Sequence, residues 1–175
     1  NRISLGVQSF DTQVRRRLGR KASREEAIAK LTELAQLEGV ALVVDLMYGL
    51  PGQDAECWAR DVATGAGLPL DGLDVYALNV WPNGPLAQAI AGGKALPLPA
   101  LADQARAYVE AGRALRDQGW RQISHAHYAR TPLERNVYNR SVKEGAACLA
   151  FGPGAGGNAH GLRWRNTSDL ALWEA

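Results

Sequence analysis

Asp45 closes the most apolar run of the chain, Val40-Ala41-Leu42-Val43-Val44, and the turn behind it carries Gly49, Pro51 and Gly52. A carboxylate buried without a partner costs several kcal/mol, so Asp45 needs either a partner or a wet cavity. Two arrangements satisfy it: the backbone amides of the 48–52 turn, or a charged or hydroxylated group brought from elsewhere, a bound ligand included. His125 and His127 stand two apart, a spacing that places both on one face of a strand. A histidine pair of this kind is structural, or serves as iron ligand, proton donor or contact to an anionic group. Tyr128 and Arg130 lie beside it, and Arg130, Arg135 and Arg140 could neutralise carboxylates of a ligand. Asn136 and Asn139 in "ERNVYN" share one helical face, more polar than a core helix needs. "FGPGAGG" from Phe151 stacks glycines whose amides could approach an anion, but no lysine follows as in a Walker sequence. It reads equally as a tight turn after a strand at 147–151. His160 sits alone in a polar loop and Arg15, Arg16, Arg17 and Lys21 read as an exposed helical face; none is given a role.

The elements that would position these groups alternate between strand and helix. A strand at 2–7 is followed by a short helix at 12–18 capped by Asp11. Ser23-Arg24-Glu25-Glu26 is a capping box opening a helix that shows Ile28, Leu31, Leu34 and Ala35 on one face and ends before Gly39. The run 40–47 is apolar at successive positions, as in a strand buried on both faces and parallel to its neighbours. A helix at 54–64 with Trp58 and Val62 inward and a strand at 73–80 complete the next unit. Residues 81–99 hold four of the eight prolines and form a loop with a short helical turn at 86–90. A helix at 100–118 shows Leu101, Ala105, Tyr108, Val109 and Leu115 at helical spacing. A strand at 121–126 follows, then a second capping box at Thr131-Pro132-Leu133-Glu134. Repeated strand–helix units imply an α/β fold whose site lies past the C-terminal ends of its strands. The polar residues there are Gln8, Asp45, Asn79, His125 and His127, one set on one rim.

The 175 residues are 46% hydrophobic with net charge +2, too even a balance for a nucleic-acid or membrane surface. Cys57 and Cys148 are far apart and form no disulfide framework, which points to a reducing cytoplasm. No signal-peptide pattern is visible. Opening on Asn1 and directly on a strand pattern, the chain reads as part of a longer protein.

"LGVQSFD", "LGRK" and "VVDLMYGLPGQ" resemble the oxygen-independent coproporphyrinogen III oxidase-like branch of the radical S-adenosylmethionine enzymes. "SHAHYARTPLERNVYNRSVKEGAACLAFGPGAGG" resembles the heme-utilisation members of that branch, the anaerobilin synthases. The resemblance covers nearly the whole chain. It implies the C-terminal portion of a partial parallel (β/α) barrel at 1–82 and a substrate-side extension at 83–175. It implies S-adenosylmethionine bound through Gln8, Arg20, Asp45 and Asn79, with Gly152 and Gly154 as further contacts. Asn79 stands where the oxidases use a small residue through its backbone. It further implies a [4Fe–4S] cluster, heme or porphyrin as substrate, and an electron donor such as flavodoxin. His125 and His127 would then be catalytic, with Tyr128, Arg130, Arg135 and Asn136 on the substrate. The implied reaction is heme ring opening with iron release; propionate decarboxylation and heme chaperoning are the alternatives. One departure is that the family's Cys-x3-Cys-x2-Cys cluster motif is absent, and Cys57 and Cys148 cannot replace three convergent thiolates.

Overall fold

A computed structural model describes residues 1–174. The chain divides into two compact units, Asn1–Glu134 and Arg135–Ala175. That division falls well beyond the 82/83 boundary expected from sequence, because the elements after residue 100 complete the first unit's own sheet.

The first unit begins with β1 (Arg2–Gln8), α1 (Thr12–Arg17) and α2 (Arg24–Leu34), then β2 (Ala41–Tyr48), α3 (Ala55–Gly67) and β3 (Gly72–Ala77). After α4 (Pro85–Ala91) and α5 (Leu101–Asp117) come two short strands, β4 (Arg121–Gln122) and β5 (His127–Ala129). The sheet order is β1-β2-β3-β5-β4. β1, β2 and β3 are parallel, so their C-terminal ends share one edge, as in part of a (β/α) barrel. β5 runs antiparallel to β3, which the strand expected at 121–126 did not foresee. That stretch is a two-residue strand and a turn, and the longer pairing starts only at His127.

Local signals start the helices. Asp11 accepts from the Gln13 and Val14 amides, Ser23 and Glu26 close the capping box, and Asp54 accepts from the Cys57 amide. The second box does not form. Thr131 Oγ1 donates to Asp71 at 2.5 Å and also accepts from the Leu133 amide, and no helix starts there. A tertiary carboxylate has captured the capping hydroxyl.

The sheet has two different faces. Leu42, Val44, Leu46, Leu73, Val75 and Tyr128 point to the helices and pack with Trp58, Val62, Leu115 and Trp120 in one core. Burying such side chains fully is worth roughly 1.5–3 kcal/mol each. α5 meets this core through Ala111, Gly112 and Leu115, while Leu101 and Val109 are exposed, so its inward stripe is narrower than the apolar spacing implied. The opposite face carries Arg2, Ser4, Gly6, Asp45, Asp74, Tyr76 and His127. The register aligns Gly6, Asp45, Asp74 and His127 as one row across four strands.

The second unit holds α6 (Val137–Lys143), a hairpin of β6 (Gly156–Ala159) and β7 (Leu162–Arg165), and α7 (Leu170–Glu174). Residues 147–151 form no strand; Cys148 alone bridges to Asn158. Among the described residues no helix is long and apolar enough to cross a membrane.

Candidate functional site

The rim of β1 is built around an irregularity. The β1–β2 register shifts between Gly6 and Gln8, and Gln8 adopts φ 70°, a left-handed conformation uncommon outside glycine. A buried clamp holds it. Arg15 donates to the Val7 and Ser9 carbonyls, on both sides of Gln8, and to the Ala22 carbonyl. Asp61, 1% exposed, accepts from the Ser9 hydroxyl, the Phe10 amide and the Gln53 side chain. Burial outweighs these donors and pushes the Asp61 carboxyl above its usual range. Arg15 is therefore not part of an exposed face, as its neighbours suggested. The result is a Gln8 side chain whose Oε1 is buried and has no hydrogen-bond partner among the described residues. Such an orphan acceptor costs about 1–3 kcal/mol until something donates to it.

Asp45 lies one strand away, in register with Gly6. It is half-buried, and its hydrogen-bond donor is the Ser4 hydroxyl at 3.1 Å. Burial first, then the facing Asp74 carboxylate, raise its pKa, and the Ser4 hydroxyl works against them. Among the described residues a hydroxyl brought from β1, rather than the backbone amides of the 48–52 turn, meets this carboxylate. The turn behind β2 is held by Gln53, which accepts from the Leu50 amide and donates to the Met47 carbonyl. Arg20 is not ion-paired with Asp45; its guanidinium approaches Gly6, where an added Cβ would lie 3.7 Å from Nη2 and 2.8 Å from Gln8 Nε2. Glycine at position 6 thus leaves room for the Gln8 amide to lie against the strand, with the Arg20 guanidinium beside it. Asn79 is exposed, two residues past the end of β3 and on the same edge.

The histidines part company. His125 is exposed in the turn between β4 and β5, and its carbonyl accepts from the Tyr108 hydroxyl. Because it is not in a strand, it does not share a face with His127. His127 is buried on the polar face. Its Nδ1 pairs with Asp74 Oδ1, and its Nε2 lies 3.4 Å from the Tyr76 hydroxyl. Both ring nitrogens thus have a polar neighbour, the Asp74 carboxylate on one side and the Tyr76 hydroxyl on the other. Asp74 Oδ2 faces Arg2 Nη2 at 3.6 Å, and Arg2 Nε donates to Glu134 at 2.8 Å. Arg2, Ser4, Asp74 and Tyr76 were not singled out from sequence, and Glu134 was read only as part of a capping box. One signal could have found Asp74: a charge inside "GLDVYA", an otherwise apolar strand.

Two expected substrate contacts are engaged on the helix side of the sheet. Tyr128 is 1% exposed on the helix side of β5, in the core, opposite in face to His127. Arg130 donates to the Ala66, Leu68 and Leu70 carbonyls at the end of α3 and stacks over Trp120 at 4.8 Å. Arg135 and Asn136 belong to the second unit, where Arg135 is exposed and Asn136, at φ 47°, accepts from Asn139 at 2.7 Å. Gly152 and Gly154 have positive φ. The Asn166 side chain donates to the Gly152 carbonyl, and the Gly154 amide donates to Thr167, which holds this glycine turn within its own unit.

Among the described residues no group of three or more His, Cys, Asp or Glu could hold a metal ion. Cys57 is buried, and its thiol is pushed up to about 12 by burial and the nearby carboxylates. The cleft of about 330 Å³ between α3 and α5, lined by Trp58, Gln104 and Ala107, lies on the helix side and not on the polar face.

No family model matches the chain. Anaerobilin synthase of Escherichia coli O157:H7 is 43% identical over 99% of this chain and 39% of that protein. The oxygen-independent coproporphyrinogen III oxidase of Bradyrhizobium diazoefficiens is 33% identical over 90% of this chain and 37% of its own length. Heme chaperone HemW of Bacillus subtilis is 26% identical over 97% of this chain and 44% of its own. The solved structure of coproporphyrinogen III oxidase (HemN) from Escherichia coli, a radical SAM enzyme, matches 98% of this chain and 42% of that one with TM-score 0.78 at 26% identity. The chain thus spans about two fifths of the length of the curated relatives it matches.

Proposed function

Since this chain belongs to the coproporphyrinogen oxidase-like branch of the radical S-adenosylmethionine proteins, we propose that it forms the cofactor-binding rim of an enzyme that opens the heme ring without oxygen and releases iron. The observation that carries the proposal is a pair of neighbouring acceptors short of donors among the described residues, on Gln8 at the end of β1 and on Asp45 within β2. Gln8 Oε1 is buried without a donor, and Asp45 is half-desolvated with one hydroxyl donor. Ribose hydroxyls are donors of the right kind for both. The Arg20 guanidinium beside Gly6 suits an α-carboxylate, and Asn79 on the same edge is a further contact. These residues fit S-adenosylmethionine. When bound and reductively cleaved, that cofactor supplies a carbon-centred radical.

The chain's own residues bind and orient. Asp45 and Gln8 fix the sugar, Arg15 and Asp61 hold the loop that presents Gln8, and the polar sheet face beside them receives the substrate side of the reaction. No arrangement of the described cysteines fits a [4Fe–4S] cluster. Its ligands, an electron donor such as flavodoxin and a cytoplasmic location belong to the proposal for the whole protein. Heme as substrate is favoured over coproporphyrinogen by the likeness to anaerobilin synthase, at 43% against 33% for the oxidase.

The experiment is an anaerobic incubation of full-length, cluster-loaded protein with heme, reductant and S-adenosylmethionine. A linear tetrapyrrole with free iron is expected. Heme recovered bound and unchanged would support chaperoning instead, and vinyl products from coproporphyrinogen III would support the decarboxylase.

A further inference from the structure

The polar face holds a second constellation, one strand beyond Asp45. Asp74 and His127 face each other in the β3–β5 register and are both buried, with side-chain exposures of 6% and 9%. Tyr76, two residues on along β3, is on the same face, one residue before the strand ends at Ala77. Its ring meets the imidazole edge-on, centroids 5.7 Å apart, and its hydroxyl reaches Nε2 at 3.4 Å. The three groups climb from the buried row toward the rim, from carboxylate to imidazole to a half-exposed phenol.

We propose that Asp74, His127 and Tyr76 form a proton relay that delivers a proton from the sheet face to the substrate, with Tyr76 as the donor in contact and His127 and Asp74 as positioning residues behind it. Asp74 accepts from the Nδ1–H and thereby fixes which nitrogen faces Tyr76. Arg2, on the far oxygen of Asp74, keeps that carboxylate aimed. With the ring protonated on both nitrogens, Nε2–H donates to the Tyr76 oxygen. The phenol stays protonated at any working pH, since burial and the nearby carboxylates push it up to about 12. In the transfer step the Tyr76 O–H bond breaks and its proton forms an N–H bond on a ring nitrogen of the tetrapyrrole. The Nε2 proton moves to the Tyr76 oxygen, leaving a neutral imidazole with its Nδ1–H on Asp74. No electron is gained or lost. Chemistry supplies the need: iron leaves a dianionic tetrapyrrole only as two ring nitrogens gain protons. The relay provides one, solvent the other, and water at Tyr76 reloads the ring between turnovers. This use rests on the ring-opening reading above; the relay geometry does not.

Charged and titratable groups face His127 from several elements. These are Arg2 from β1, Asp45 from β2, Asp74 and Tyr76 from β3, and Glu134 from the segment after β5. Two measurements on full-length protein test the relay. The first is iron release from heme against pH for wild type, Tyr76→Phe, His127→Gln and Asp74→Asn, with 5′-deoxyadenosine counted in parallel. Relay variants Tyr76→Phe and His127→Gln are expected to release iron about 10²-fold more slowly, the size of a lost general acid. Their KM for S-adenosylmethionine should stay within about twofold of wild type, and 5′-deoxyadenosine should still form. Asp74→Asn is expected to slow iron release as well, because a neutral amide holds the Nδ1–H less firmly and orients the ring toward Tyr76 less well. Wild-type rates and profiles in all three would overturn the relay.

The second is ¹⁵N NMR of the imidazole, independent of turnover. The ring is expected to carry hydrogen on Nδ1 whether neutral or cationic, and Tyr76→Phe is expected to shift the Nε2 resonance. A neutral ring protonated on Nε2, or an Nε2 blind to Tyr76→Phe, would also overturn it. If wild type releases no iron from heme, the functional reading fails and the relay stands or falls on the NMR.

Discussion

Replacing Asp45 with asparagine separates a ligand-binding carboxylate from a structural one. β2 and β3 are neighbours in register at Asp45 and Asp74, about 4.8 Å apart by strand spacing. Two unit charges at that distance repel by about 0.9 kcal/mol in bulk water and about 3.5 kcal/mol at an effective dielectric of about 20. Asp45 is half-exposed, Arg2 shields Asp74, and the Ser4 hydroxyl compensates part of the cost, so the net penalty belongs near the lower end. Asparagine keeps an acceptor for Ser4 and turns a donor toward Asp74. Asp45→Asn is therefore expected to stabilise the fold by about 1 kcal/mol at neutral pH. The sign with pH follows from the raised pKa of Asp45. Its folded state holds the proton where the unfolded chain has released it, so this contribution is complete below the unfolded pKa of about 3.9 and is lost as pH rises through the folded value. The gap between variant and wild type should be near zero at about pH 4 and open toward neutrality. In the cofactor the same change should cost about 2–5 kcal/mol of affinity, roughly 30-fold to several-thousand-fold. Denaturant unfolding across pH and calorimetric titration of S-adenosylmethionine into full-length, cluster-loaded protein measure both. A variant less stable than wild type at neutral pH, with near-normal affinity, would refute the reasoning and make Asp45 structural.

Two further changes and one labelling experiment test the packing around the site. Gly72→Ala places a Cβ 2.8 Å from Glu134 Cγ and 2.9 Å from Val43 Cγ2, both in buried residues, and should cost about 1–3 kcal/mol in denaturant unfolding. An unchanged midpoint would show that the polar face yields easily. Asp61→Ala strands the Ser9 hydroxyl and the Phe10 amide and should cost about 2–6 kcal/mol, about 1–3 for each donor, with Gln8 losing its fixed backbone. A loss under about 1 kcal/mol would contradict the clamp. Cys57, buried and with its thiol at about 12, should resist iodoacetamide in the native protein and react on unfolding, as mass spectrometry would read.

What the sequence made legible was local or periodic. The Ser23–Glu26 box, the Asp11 cap and the doubly buried β2 follow from a few adjacent residues, and the structure keeps them. The second box had the same local pattern, yet Thr131 gave its hydroxyl to Asp71, sixty residues away in sequence. Tyr128 and Arg130 were read beside His127 because they adjoin it; in a strand, adjacency means opposite faces for Tyr128. Arg15 looked like its exposed neighbours, and only the folded rim reveals three carbonyls awaiting it. The rule that flagged Asp45, a charge in an apolar strand, applied equally to Asp74. What stayed hidden was the lateral register that puts both in one row with His127.

The central claim is that the β1–β2 rim binds S-adenosylmethionine through Gln8 and Asp45. A crystal structure of full-length, cluster-loaded protein grown anaerobically with the cofactor tests it most directly. The account predicts ribose hydroxyls within hydrogen-bond distance of the Asp45 carboxylate and Gln8 Oε1, and the cofactor carboxylate near Arg20. A cofactor bound elsewhere, with Gln8 Oε1 still without a donor and Asp45 holding Ser4 alone, would contradict it.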